Sequence, residues 1–463
     1  MTFDSTIFLF VFLPVSFILY YSTPAKFKAL TLVVVSVLFY AWGGLVHILI
    51  LLASVLWNYG GGILMERQLK HPKRVRNTMM LVAAVDILLF AACRYTGQIL
   101  GMAGSSLADS RYFLAPLGIS FFMLQNISYI IDIYRGDIMP QKDIVKFSAM
   151  IVMYPKITAG PLVAGGEFEK QFEKPKLSLG RCSDGLLLFI RGLSKKVILG
   201  NALGMLFDTV MALPDSRMSV AGAWLGCFAF ALRIYFTFGG YCDMAAGLSR
   251  MLGFELPDNV NYPILSTGIM DFWSRWMSTL WKWFCSYVYL PLCGGNPGGG
   301  AGFLSLLLSW LVIGLWHGLK GTFIIWGIYF AVLLYLEGFV LGEKVAALPK
   351  GIRWLFTMVL LLISWVFFFS PSVGEAFSYL RFMIAGGGAG FMDAGAAALM
   401  ADYGVLLITA VLFSTPFVSQ AYEWLIHGGR RWQTALNCVV YGVLLILCIA
   451  GIVSGYGSAN LYF

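Results

Sequence analysis

Apolar runs separated by short polar or basic stretches recur along nearly the whole chain. Many reach the roughly 17–25 residues that a helix needs to cross the hydrocarbon core of a bilayer. A water-soluble fold would have to bury most of these helices on every side, which a chain of 463 residues cannot arrange. The pattern predicts an all-α, polytopic transmembrane bundle of about ten to twelve crossings. Residues 1–463 are expected to form a single integral membrane domain, with a motif-bearing core at 259–320 and no separate soluble domain.

Spans are predicted at 6–21, interrupted by Pro14, and at 30–42, 46–64, 79–93 and 113–134, with Asp86 inside the fourth. Further spans are predicted at 223–238, 322–341, 354–369, 404–417 and 436–453. Residues 97–111 form a polar loop, and 386–395 a connector rich in small residues. The segment 186–213 carries Arg191, Lys195 and Lys196, and reads as an amphipathic helix followed by a span. The charged stretch 167–181 suits an interfacial helix and loop. Segment 144–163 differs, because its helix breaks at Met153-Tyr154-Pro155-Lys156-Ile157-Thr158-Ala159-Gly160-Pro161. Such backbone is tolerated at membrane depth only where protein covers it or it lines a cavity, so this segment reads as a broken or re-entrant helix. The closing Asn460-Leu461-Tyr462-Phe463 reads as part of a protease-cleavage tag and is set aside.

Charge adds orientation. Lys26 and Lys28 follow the first span, and Arg67, Lys70, Lys73, Arg74 and Arg76 follow the third. Two crossings separate these loops, so they share a side. The positive-inside bias makes that side cytoplasmic and puts the amino terminus of this multi-pass protein outside. The same bias accounts for the net charge of +9 in a chain 59% apolar and only 12% charged, so nucleic acid is not an expected partner. The eight cysteines show no metal-ligand spacing and read as small buried hydrophobes. No basic region precedes the first apolar run, so no cleaved signal peptide is expected.

Candidate chemistry concentrates at 259–320. Among four histidines, His47, His71 and His427 lie at span ends or beside polar loops, where an imidazole needs no explanation. His317 instead closes an apolar helix, within Trp316-His317-Gly318. An ionisable side chain there marks a functional site, and the alternative is a structural histidine bonded across helices. No HExxH motif and no GxSxG elbow is present, so zinc-protease and serine-hydrolase chemistry lack support. Trp273, Trp276 and Trp316, taken singly, suit packing or interfacial positions. Asp243 and Arg275 are charges within the bundle, which normally pair or line a polar path.

An ordered set of motifs carries a resemblance. It comprises Gly240-Tyr241-x-Asp243-Met244, Asn261-Tyr262-Pro263, Asp271-Phe272-Trp273-x-Arg275-Trp276, Tyr287-x-Tyr289-Leu290-Pro291-Leu292-x-Gly294-Gly295-Asn296 and Trp316-His317-Gly318. Earlier segments agree, among them Phe39-Tyr40-Ala41-Trp42, Gly118-Ile119-Ser120-Phe121-Phe122, Asp132-x-Tyr134-Arg135-Gly136 and Ala159-Gly160-Pro161. Together they resemble the membrane-bound O-acyltransferase (MBOAT) family, in the bacterial branch that includes the alginate O-acetylation membrane protein.

The resemblance implies a tunnel through the bundle and His317 as its general base. It implies an acyl thioester donor, either acyl-CoA or a phosphopantetheine carrier, arriving from the cytoplasm, and no tightly bound cofactor or metal. The acceptor is then a hydroxyl of an exported polysaccharide or cell-wall polymer, often reached through an extracytoplasmic acyltransferase- or esterase-like partner. Asn261, Tyr262, Trp273, Arg275, Trp276 and Trp316 are the candidates for lining the tunnel or orienting His317, with Asp243 and Asp271 in structural roles. Two departures stand out. Met277 occupies a position where related bacterial members carry a second histidine, and Cys285-Ser286 replaces an arginine-aspartate pair. D-alanyl transfer to teichoic acid is the alternative within the family. A transporter or channel with a His/Asp proton relay is the alternative of another class, and a catalytically weak scaffold that only recruits partners, to which Met277 points, is a third.

Overall fold

The computed structural model describes residues 1–106, 115–158, 160–163, 165–294, 299–426 and 431–455. Residues 107–111 of the expected polar loop, Ala159, Gly295, Asn296, His427 and the closing tetrapeptide lie outside these. Every named element is a helix, and the single β feature among the described residues is an isolated antiparallel bridge between Val260 and Trp276. The all-α, polytopic expectation holds.

Among the described residues, seven helices are long and apolar enough to cross a membrane: Leu45–Arg67, Pro72–Met102, Val220–Met251, Gly300–His317, Gly321–Val340, Lys350–Phe369 and Arg431–Val453. The pair Ala394–Asp402 and Gly404–Phe413, bent by 57°, makes an eighth if counted as one span. This is fewer than the roughly ten to twelve crossings that hydropathy predicts. Several of its spans are shorter helices, such as Lys28–Ala41 and Ile119–Arg135, which at 1.5 Å per residue fall short of a hydrocarbon core about 30 Å thick. The fourth expected span instead lengthens to Pro72–Met102, taking in the start of the loop that was expected after it.

The chain divides into two compact units, Met1–Phe189 with Cys242–Pro257, and Ile190–Tyr241 with Asp258–Phe463. In the first unit, Gly61 and Gly62 admit Val82 and Tyr129 at distances that a Cβ would obstruct, which is how small residues let membrane helices approach. Asp86 is fully buried and accepts a hydrogen bond from Asn58 Nδ2 at 3.0 Å. The broken helix is present as Ile144–Val152 and Tyr154–Ile157, parted at Met153. The amide freed at the break is satisfied, because the buried Tyr154 N donates to Ser36 Oγ at 3.0 Å. Satisfying a freed backbone group in this way is what allows a break at such a position.

In the second unit, the helix Gly299–His317 turns at Gly318-Leu319-Lys320 into the helix Gly321–Tyr335. Glycine sets their spacing on both sides. A Cβ on Gly314 would meet the Phe323 carbonyl oxygen, and one on Gly327 would overlap that of Trp310. Lys350–Phe369 packs against the second of these helices, with Tyr329 Oη donating to Leu360 O at 2.9 Å. Elsewhere in this unit the buried Arg233 pairs with Asp208 at 3.1 Å, in line with the rule that a buried charge needs a partner.

Candidate active site

The motif segment is held by backbone pairing rather than by a long helix. Asn261 N donates to Arg275 O at 2.9 Å, and Ser278 N to Asn259 O at 3.1 Å. The Asn259 side chain accepts from both Thr279 N and Thr279 Oγ1, at 3.1 and 2.8 Å. Two residues bracket this loop in left-handed backbone, Tyr262 at φ 45° and Met277 at φ 50°, the only non-glycine residues described there. Bulky residues in that region cost about 1–3 kcal/mol each and persist only where surrounding contacts enforce them. For Tyr262 one such contact is its hydroxyl, 2.8 Å from Ser419 Oγ.

Between the brackets lies the short helix Ile269–Arg275. Its first amides need acceptors, and Glu337 supplies them: Ile269 N and Met270 N donate to its carboxylate at 2.6 and 3.2 Å. Asp271 accepts from Thr267 N at 3.1 Å and pairs with Arg275 Nε at 2.6 Å. The helix thereby presents Trp273 to the interior.

His317 is the last residue of its helix, and its ring sits in an aromatic cluster. The nearest centroids are those of Trp316 at 4.7 Å, Phe368 at 5.0 Å, Trp326 at 5.4 Å and Phe323 at 5.7 Å. Trp326 continues the cluster to Trp273 at 5.9 Å, which in turn meets Trp310 at 4.9 Å and Phe330 at 5.0 Å. Trp273 Nε1 and Trp326 Nε1 within it, and Thr322 Oγ1 one turn before Trp326 on the same helix, are buried without a hydrogen-bond partner among the described residues. The imidazole is half-buried among these rings, and a neutral imidazole so placed can take a proton from a bound hydroxyl.

The sequence-predicted residues divide. Trp316 touches His317, and Trp273 reaches it through Trp326. Trp276 packs instead on Phe238, Tyr235 and Phe272. Asn261 is exposed and joins the loop through its backbone, while Asp271 and Arg275 pair with each other. Met277 is buried at the start of the helix Ser278–Phe284. Asp243 is half-buried on Val220–Met251, within the first unit. Sequence reasoning missed Thr322, Phe323, Trp326, Glu337 and Phe368. Only the four-residue spacing of Thr322, Trp326 and Phe330, one face of a helix, hinted at any of them.

In the first unit, the broken helix carries a buried lysine. Lys156 Nζ lies 2.7 Å from Gln125 Oε1 and 4.6 Å from the Phe168 ring centre, beside a cleft lined by Phe121, Phe122, Ile151 and Pro161. Gln125 Nε2 donates to Val163 O at 3.2 Å, which fixes the amide so that its oxygen faces the lysine.

Comparison with known proteins gives this geometry a family. The model of MBOAT, the membrane-bound O-acyltransferase family, matches residues 138–373, a range that includes His317 and the whole motif segment. The chain is 33% identical over 443 residues to the probable alginate O-acetylase AlgI of Azotobacter vinelandii, covering 93% of this chain and 88% of that protein. It is 30% identical over 421 residues to the peptidoglycan O-acetyltransferase of Helicobacter pylori, covering 82% and 79%. Similarity to the teichoic acid D-alanyltransferase of Bacillus subtilis is 28% over 252 residues, covering 51% and 63%. The chain belongs to the membrane-bound O-acyltransferase family and is a multi-pass membrane O-acyltransferase.

Proposed function

We propose that this O-acyltransferase moves an acetyl group from a cytoplasmic thioester, acyl-CoA or an acylated phosphopantetheine carrier, toward a hydroxyl of an exported polysaccharide or cell-wall polymer. His317 acts as general base: it takes the hydroxyl proton as the oxygen attacks the thioester carbonyl. A passage through the bundle brings donor and acceptor to it from opposite faces, and the amino terminus lies outside. The observation that carries this reading is His317 itself, closing the Trp-His-Gly helix against aromatic rings that link it to Trp273 of the motif helix. The acetyl assignment draws on relatives named for alginate and peptidoglycan O-acetylation, whose similarity extends over four-fifths or more of this chain. An extracytoplasmic acyltransferase- or esterase-like partner completes delivery to the polymer.

D-alanyl transfer is the second reading, and the relatives that favour it match only about half of the chain. Mass analysis of envelope polymers from cells with and without this protein separates the two. Loss of O-acetyl esters on deletion is the expected result. Loss of D-alanyl esters with acetylation intact selects the alternative, and unchanged esterification of every polymer contradicts both.

A further inference from the structure

The aromatic cluster around His317 holds more hydrogen-bond donors than its packing uses. Trp326 is 2% exposed and Thr322 fully buried, yet Trp326 Nε1 and Thr322 Oγ1 find no partner among the described residues. A buried polar group left unsatisfied costs about 1–3 kcal/mol, and an apolar residue of the same shape would remove that cost. Both donors lie on one face of the helix Gly321–Tyr335, four residues apart. Trp326 stands edge-on to the His317 ring at 85°. Glycine contacts at Gly314 and Gly327 fix the distance between the two helices that carry these groups.

We propose that Trp326 Nε1–H, with Thr322 Oγ1–H beside it, forms the oxyanion site of the acyl transfer, receiving the thioester carbonyl oxygen of the donor. The inference rests on the reading of His317 as general base. The acceptor oxygen forms a bond to the carbonyl carbon, its proton passes to His317, and the carbonyl π pair moves onto oxygen, where the two donors meet the new negative charge. Collapse re-forms the C=O bond and breaks the C–S bond, and the departing sulfur takes the proton back from His317. No oxidant or further reactant enters. Donors already fixed in a water-poor site need no reorganisation as charge develops, which makes such a site effective.

The test uses membranes carrying the full-length protein and radiolabelled acetyl-CoA. It follows label reaching the polymer fraction per folded molecule, together with the protein's melting temperature. Trp326→3-benzothienylalanine keeps the shape of the ring and removes only the N–H. Its maximal rate should fall by about 10²-fold, the scale of one lost oxyanion donor, with the half-saturating donor concentration within about twofold. Thr322→Val should lower the rate while leaving the melting temperature equal or higher, a combination that a packing role does not produce. Rates within about twofold of wild type for both variants overturn the proposal, even if His317→Gln is inactive. The same holds if the indole isostere lowers only the melting temperature, which would assign the N–H to a neighbouring ring face. A wild-type protein that transfers label neither from acetyl-CoA nor from an acetylated phosphopantetheine carrier overturns the acyl-transfer reading of His317 and this proposal with it.

Discussion

A Cβ added to Gly314 would stand 2.5 Å from the carbonyl oxygen of Phe323, closer than real side-chain carbons come to backbone. Gly327 meets the Trp310 carbonyl oxygen in the same way from the opposite helix. The two glycines let the histidine helix and its neighbour lie close enough for the His317 and Trp326 rings to meet edge to face at 5.4 Å. Gly314→Ala or Gly327→Ala forces the helices apart, a strain of about 1–3 kcal/mol. Both variants should melt earlier and transfer less acyl group per folded molecule. Unchanged melting and activity in both would show that this approach is not required.

The motif helix depends on a carboxylate from another helix. Glu337 accepts from Ile269 N and Met270 N, so Glu337→Ala leaves two amides at a helix start without acceptors, at a cost of about 1–3 kcal/mol. Glu337→Gln keeps an acceptor oxygen and should recover much of the loss in both melting temperature and transfer rate. Equal damage from the two substitutions would point to the charge rather than to the capping geometry.

Met277 tests whether a second proton-transfer residue is needed at its position. The side chain is 4% exposed, and the backbone there is left-handed. Met277→Ala keeps the backbone and removes buried volume, costing about 2–5 kcal/mol of stability. Transfer per folded molecule should stay within several-fold of wild type. A loss as complete as that of a His317 variant would show that this side chain shapes the acyl site directly.

These residues also mark what the sequence made legible. The long spans, the break at Met153 and the isolation of His317 all follow from hydropathy and from residues that a lipid environment penalises. The aromatic cluster did not show itself, because Trp326, Phe323 and Phe368 lie in runs that are apolar throughout, where periodicity cannot say which face turns inward. Glu337 was hidden for another reason. It caps a helix some 70 residues earlier in the chain, and no local pattern encodes so distant a hydrogen bond. Among the named candidates, Asn261 and Trp276 were placed by motif alone, and both serve the loop: one through its backbone amide, the other through its bridge to Val260.

Orientation can be checked independently. Lys142 Nζ lies 3.1 Å from Glu66, which places it on the same side as the basic loop that follows. In a background without the eight native cysteines, cysteines at Lys73 and Lys142 should react with an impermeant reagent only from the cytoplasmic side, and one at Asp4 only from outside. Labelling at Lys73 from outside would reverse the orientation and the side assigned to the donor.

Two variants at position 317 separate a histidine that accepts the proton from one that only packs. His317→Ala leaves the helix apolar, so the protein should insert, purify as a folded bundle and still bind the thioester donor. His317→Gln keeps a hydrogen-bonding side chain but cannot take a proton at neutral pH. Acyl transfer measured per folded molecule should fall by about 10²–10⁴-fold in both, the usual yield of a positioned general base. Near-native transfer by the glutamine variant, with unfolding of the alanine variant, would make His317 a structural histidine and contradict the account.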